Sequence, residues 1–215
     1  MYVFDPYDLD ALLALGVSFT NQIAFATALK YLREWIVSHP EYSSLAQQTK
    51  QSMHLHQECK QVVELFENAT KINPDDPDLH SVLGVLFNIT SEYDLAELHF
   101  KKALQQRPND PTLWNKLGAT QANGQKCHLA VSAYSKALQL KPNYVRALSN
   151  LGISFANQKM HREACQSYLA SLRLNPHAES IWDYLTMSLL YLGREDLMLL
   201  TQQRDVSQFE KHFDF

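Results

Sequence analysis

The stretch PTLWNKLGATQANGQKCHLAVSAYSKALQLKPNY, Pro111 to Tyr144, decides the fold. Shifted 34 residues toward the C-terminus it meets a copy of itself: Gly118 falls on Gly152, Ala130 on Ala164, Tyr134 on Tyr168 and Pro142 on Pro176. Shifted the other way, Gly84, Ala96, Phe100 and Pro108 take the same places. Self-similarity at a fixed period of this size marks a repeat array, in which each unit buries its apolar face against its neighbours.

With that glycine as position 8, the three units begin at Pro77, Pro111 and Val145, and the ruler extends back to Leu9 and Ser43 and forward to Glu179. The unit from Leu9 fits throughout, with Leu12, Leu15, Gly16 and Phe19, then Ala28, Leu32 and Pro40. The unit from Ser43 keeps Val62, Phe66, Ala69 and Pro74, but its first half, SSLAQQTKQSMHLHQEC, has Thr49 and Lys50 where a leucine and a glycine belong. From Glu179 the ruler fades: Trp182, Leu185 and Leu189 hold their places and Thr186 stands for the glycine.

Apolar or small residues at positions 4, 7, 8 and 11, and again at 20, 24 and 27, have helical spacing, so each unit reads as two helices. Small residues at 8 and 20 let them approach closely, and the proline at 32 stops the second helix. This is the pattern of the tetratricopeptide repeat. The expected fold is an all-α solenoid of helical hairpins with a C-terminal helical cap. Its divisions are a lead-in at 1–8, a repeat at 9–42, a degenerate repeat at 43–76, three tandem repeats at 77–178 and capping helices at 179–215.

Composition narrows the function. Apolar residues make up 46% and charged residues 20%, as in globular proteins, and a net charge of −4 supplies no basic field for a phosphate backbone, so nucleic acid is not an expected partner. No apolar run approaches the roughly 20 residues of a membrane helix, and MYVFDPYDLDALLALGVSF lacks a basic leader, so neither membrane insertion nor a secretory signal is expected. On that basis the glycosylation sequons at Asn68 and Asn88 read as chance matches. Cys59, Cys127 and Cys165 have no paired spacing and read as free thiols of a reducing compartment, the cytosol. His54, His56 and Cys59 lie close together, but the two histidines, two residues apart, point to different sides of a helix; a solvated loop or irregular helix is the expectation there rather than a metal site. No catalytic motif is present, and no cofactor is expected.

In tetratricopeptide arrays the first helix of each repeat lines the ligand-binding side, which makes positions 2, 5, 6, 9, 12 and 13 the ones to inspect. They carry Asn115, Lys116, Ala119 and Asn123 in one unit and Arg146, Asn150 and Asn157, with Ser154 nearby, in the next; the unit from Leu9 adds Val17, Thr20 and Asn21. Asparagine offers both donor and acceptor to the main chain of an extended peptide, and Arg or Lys suits a free carboxylate. The plainer reading of Asn21, Asn123 and Asn157, all at position 13, is that they end their helices in the left-handed conformation that asparagine tolerates. Asn115 and Asn150 sit mid-helix, where asparagine has no propensity advantage, and that favours function.

The motifs ALGVSFTNQ at 14–22, LGVLFN at 83–88 with Glu92-Tyr93-Asp94, LWNKLGAT at 113–120, and NLGIS at 150–154 with His161-Arg162-Glu163-Ala164 resemble the C-terminal cargo-binding region of the peroxin-5 family, the receptors of the peroxisomal type-1 targeting signal. The likeness runs over nearly the whole chain, including the degenerate repeat, which in that family is a hinge. It implies a cytoplasmic receptor, cycling to the peroxisomal membrane, for matrix proteins that end in a Ser-Lys-Leu-like tripeptide. Asn21, Asn115, Asn150 and Asn157, with Asn123, match asparagines that bind the peptide backbone and carboxylate. Lys116 and Arg146 match basic residues near the carboxylate; Val17, Thr20, Ala119 and Ser154 match pocket-shaping residues; Tyr93 matches a tyrosine close by. Family members carry further repeats and a long disordered region that precede the part matched here, so contacts with peroxisomal docking proteins are expected only through those regions. Two other binding roles remain open: a co-chaperone clamp for an acidic C-terminal tail, which needs more Lys and Arg along the first helices, and a plain assembly scaffold.

Overall fold

The computed structural model describes residues 8–48 and 55–215. The chain divides into two compact units, Met1–Pro108 and Asn109–Phe215. In the first, helices α1 (Leu9–Asn21) and α2 (Phe25–Ser38) form a hairpin, the short 3-10 turn Ser43–Gln48 follows, α3 (Leu55–Ile72) packs against α2 and α4 (Pro77–Ile89), and α4 pairs with α5 (Tyr93–Gln106). In the second, α6 (Pro111–Asn123) pairs with α7 (Cys127–Leu140), α8 (Val145–Asn157) with α9 (His161–Leu174) and α10 (Glu179–Tyr191) with the short α11 (Glu195–Thr201), ahead of a 3-10 turn at Val206–Phe209.

The starts and stops of these helices are written in the sequence. Asp8, Asp76 and Asp110 cap α1, α4 and α6; Asp110, for instance, accepts from the N–H groups of Thr112 at 2.7 Å and Leu113 at 3.2 Å. These bonds satisfy donors that a helix start leaves orphaned, and proline follows at the first helical position of α4 and α6, where its missing N–H costs nothing. At the other end, α2, α3, α5, α7 and α9 each stop two residues before Pro40, Pro74, Pro108, Pro142 and Pro176. A proline disfavours the helical conformation in the residue before it, and His39, Arg107, Lys141 and Asn175 accordingly have ψ between 65° and 127°.

Each hairpin turns through one left-handed residue at position 15 of its unit: Ile23, Ser91, Gln125, Lys159 and Gly193, with φ between 61° and 68°. Each turn carries the same pair of bonds. Around Ile23 they are Ile23 N–H to Thr20 O at 3.2 Å and Ala24 N–H to Phe19 O at 3.0 Å; around Lys159, Lys159 N–H to Ala156 O at 2.9 Å and Met160 N–H to Phe155 O at 3.0 Å. This is the Schellman stop. It corrects the expectation that asparagine supplies the left-handed residue: Asn21, Asn123 and Asn157 are the last helical residues, and the left-handed position lies two further on.

Within the hairpins the glycine at position 8 meets the large residue at position 24. A Cβ on Gly84 would lie 2.7 Å from the Phe100 ring, on Gly118 2.7 Å from Tyr134, and on Gly152 2.4 Å from Tyr168. The aromatic rings therefore rest on bare backbone, and any side chain at the glycine would have to displace them. In the last hairpin, where Thr186 replaces the glycine, its hydroxyl donates to Thr201 Oγ1 at 2.9 Å. Beyond α10, Leu197, Phe209 and Phe213 close the apolar cluster formed by Tyr168, Leu169, Leu172, Trp182, Leu185 and Leu189.

Candidate functional site: the polar face of α6 and α8

Both helices point one side at the core and leave the other to carry function. Leu113, Leu117 and Gly118 on α6 and Ala147, Leu151 and Gly152 on α8 are buried. Neither PTLWNKLGATQAN nor VRALSNLGISFAN contains a carboxylate, and Lys116 and Arg146 are the cations of the two helices.

Asn115 is 5% exposed and Asn150 half-buried, and Asn150 Nδ2 donates to Asn115 Oδ1 at 3.3 Å. A buried amide needs such a partner. The bond engages one N–H of Asn150 and the carbonyl of Asn115; the NH2 of Asn115 and the carbonyl of Asn150 are the donor and acceptor that an extended main chain complements. One turn along α8, Ser154 is fully buried and its Oγ has no partner among the described residues. Leaving such a hydroxyl unpaired costs on the order of 1–3 kcal/mol. The Ser154 carbonyl accepts from Gln158 Nε2 at 3.0 Å, and the Ser149 and Ser171 hydroxyls, 2.8 Å apart, tie α8 to α9. Lys116 and Ala119 are half-buried, while Arg146, Asn123 and Asn157 are exposed. The second unit thus brings Asn115 and Asn150 together and places the other residues along the same two helices.

In the first unit, Val17 and Thr20 are half-buried on α1, where the Thr20 hydroxyl donates to Val17 O at 2.6 Å. Asn21 ends α1 and its side chain lies outside the described residues; Tyr93, half-buried, opens α5. Thr49, Lys50, His54 and most of the lead-in at 1–8 also lie outside them. His56 and Cys59 belong to the regular helix α3, not to a loop or irregular helix, and line an apolar cavity of about 370 Å³ with Phe25, Leu29, Leu55 and Ile89. Burial pushes the Cys59 thiol above its usual range, and that of Cys165 up to about 12, so both are unreactive; Cys59, Cys127 and Cys165 are free. Among the described residues no group of three or more His, Cys, Asp and Glu is placed to hold a metal ion, and no helix is long and apolar enough to cross a membrane.

The first unit also holds a histidine pair that sequence reasoning missed. His80 Nε2 lies 2.8 Å from Pro74 O, which can only accept, so His80 Nδ1 accepts from His99 Nδ1–H at 2.9 Å. Burial, then the neighbouring His80 and Lys102, lowers His99 to about 4; burial also lowers His80. Both rings are held neutral. On α10, the ruler continued from Glu179 puts Tyr184, Met187, Leu190 and Tyr191 at positions 6, 9, 12 and 13, and all four are exposed. The periodicity carries these positions into α10 even though the packing positions of that unit fade.

The tetratricopeptide repeat family model matches residues 63–111 and 116–179, together more than half of the chain, and the chain belongs to that family. Its fold is the all-α solenoid of helical hairpins that the periodicity implied. Among solved structures, that of MamA matches with a TM-score of 0.66 at 15% identity, over 76% of this chain and 98% of MamA. YrrB, described as a tetratricopeptide protein with an unusual peptide-binding site, matches with a TM-score of 0.63 at 17% identity, over 82% of this chain and 88% of YrrB. These likenesses concern the fold.

Among curated proteins, Peroxisome biogenesis protein 5 of Arabidopsis thaliana is 47% identical over 97 residues, 45% of this chain and 13% of its own length. The PEX5-related protein of Homo sapiens is 36% identical over 111 residues, covering 46% and 18%. The Peroxisomal targeting signal receptor of Komagataella phaffii is 34% identical over 108 residues, covering 46% and 19%. The likeness to the peroxin-5 family is thereby upheld over 45–46% of the chain, rather than over nearly all of it, and the chain spans less than a fifth of these relatives' lengths.

Proposed function

We propose that this chain is a non-catalytic receptor domain that binds the C-terminal Ser-Lys-Leu-like signal of peroxisomal matrix proteins for import. The observation that carries the reading is the Asn150–Asn115 bond at 3.3 Å, which joins two mid-helix amides on neighbouring helices that bear Lys116 and Arg146 and no carboxylate. Paired amides suit the polar main chain of an extended peptide, and two cations suit its terminal carboxylate. The names of the relatives point the same way.

In this reading Asn115, Asn150 and Asn157, with Asn123, hold the peptide backbone. Lys116 and Arg146 face the carboxylate, and Ala119 and Ser154 shape the pocket wall. Val17, Thr20, Asn21 and Tyr93 of the first unit enter the proposal through the family resemblance alone. The receptor works in the cytoplasm and delivers its cargo to the peroxisomal membrane.

The test is fluorescence anisotropy with a labelled peptide ending in Ser-Lys-Leu against the same peptide amidated at its C-terminus. The acid is expected to bind and the amide to lose most of that affinity. Equal binding of both, or binding of neither, overturns the proposal.

A further inference from the structure

Asn123 is the one asparagine of the chain that glycine follows. It is the last residue of α6, it is exposed, and Gly124 caps the helix behind it. The next unit supplies a matched comparison. Asn157 holds the same position 13, ends α8 and is equally open to solvent, but Gln158 follows it, with its side chain tied back to Ser154 O at 3.0 Å. The two sites differ in the residue whose backbone nitrogen adjoins the amide.

That nitrogen is a nucleophile for the side chain beside it. Glycine has no Cβ to shield the nitrogen or to bar the bent backbone that the attack requires. In the helical form the Gly124 N–H is donated to Thr120 O at 2.9 Å, so the attack waits for the last turn of α6 to open. Helix ends fray at little cost.

We infer that Asn123 is a site of deamidation, and that the reaction runs while the peptide face stands empty. The Gly124 nitrogen loses its proton and bonds to Asn123 Cγ, closing a five-membered succinimide, and Asn123 Nδ2 takes up a proton and leaves as ammonia. Water then opens the ring at either carbonyl, giving aspartate, or isoaspartate with the main chain running through Cβ. The chemistry needs only this dipeptide and water; its effect on binding rests on the receptor reading. In that reading Asn123 holds the peptide backbone, so a bound peptide engages the amide and keeps the turn closed. The product places a carboxylate on α6, which has none, at the negative end of the helix and on the face that bears Lys116 and Arg146. It also removes an NH2 donor and opposes the terminal carboxylate of the cargo. Isoaspartate further lengthens the main chain just ahead of the left-handed Gln125, whose turn is held by Gln125 N–H to Ala122 O at 3.0 Å and Lys126 N–H to Gln121 O at 2.7 Å.

Ageing the whole chain in mildly alkaline buffer, followed by peptide mapping in a mass spectrometer, tests the site. Asn123 should convert to aspartate and isoaspartate while Asn157 stays intact, a saturating Ser-Lys-Leu peptide should slow the conversion, and Gly124→Ala, which the φ of −78° accommodates, should suppress it. Asn157 converting as fast as Asn123, or Asn123 converting only in urea, overturns the assignment. In anisotropy, Asn123→Asp should bind the Ser-Lys-Leu peptide about three- to tenfold more weakly, a loss that shrinks as salt is raised. Full affinity in Asn123→Asp, or conversion at the same rate with and without peptide, refutes the link to binding even if the residue deamidates. If the fresh chain binds no peptide, the receptor reading and that link both fall, and the deamidation itself is decided by the mapping alone.

Discussion

The two compact units use one hairpin for different ends. In the second, three hairpins follow one another from Pro111 to Thr201, the last with Thr186 where the other two carry the packing glycine. In the first, the repeat from Ser43 begins with a 3-10 turn where its counterparts begin an α-helix, yet its second half packs as the ruler demands: Val62, Phe66 and Ala69 are fully buried. Aromatic side chains pack around it. Trp35 stacks on Phe66 at 5.7 Å, and the buried Tyr42 donates its hydroxyl to Asp76 at 2.5 Å, reaching from one unit boundary of the ruler to the next. A repeat can therefore depart from the pattern in the first half of its sequence and stay in register, provided that the second-half packing positions survive.

The largest expected effect breaks the regular half of this comparison. Gly152→Val would place a side chain where Tyr168 already sits 2.4 Å from an added Cβ, and should lower stability by about 2–4 kcal/mol in urea denaturation. An unchanged midpoint would show that the ring is not seated on the backbone. Next, Asn150→Ala should weaken peptide binding by about 1–3 kcal/mol and cost about 1 kcal/mol of stability, because the buried Asn115 carbonyl loses its donor. Full affinity in this variant would remove the amide pair from the site.

The third prediction belongs to the first unit. His99 titrates near its ordinary value of 6.5 when unfolded and at about 4 when folded, so the unfolded chain binds more protons between those values and stability falls as pH drops from about 6.5 to 4. Because the ring is only half-buried, the loss should be on the order of 1–2 kcal/mol. Hydrogen exchange should show α4 and α5 opening more readily at pH 5 than at pH 7, and His99→Gln should flatten that difference; equal protection at both values would contradict it. The smallest effect is a gain. Ile23 is a β-branched residue with φ of 61°, and Ile23→Gly should raise the thermal stability by about 1 kcal/mol, whereas Ile23→Val should not.

What the sequence made legible was whatever repeats. The glycine at position 8, the proline at 32 and the apolar positions between them located the helices, because each has a local steric consequence that recurs every 34 residues. The left-handed turn residue escaped notice since Ile23, Ser91, Gln125, Lys159 and Gly193 share no chemistry. Packing of the two helices imposes that conformation, and only Gly193 adopts it without strain. Asn115 and Asn150 stood out as polar residues in mid-helix, but their mutual bond pairs position 5 of one unit with position 6 of the next, a relation that no single-repeat pattern contains. The His80–His99 pair was invisible for a similar reason: it joins two helices through residues that match nothing in the other units.

The seating of Tyr134 and Tyr168 on glycine backbone has a consequence for motion. Each ring is buried, and its edge touches a helix where even a methyl group would not fit. A half-rotation of such a ring sweeps through the space that the opposing backbone occupies, so it must wait for the hairpin to open. The rate at which the two edges of Tyr134 or Tyr168 exchange in an NMR spectrum is thus a clock for the breathing of one repeat, set inside α6–α7 for the first ring and α8–α9 for the second.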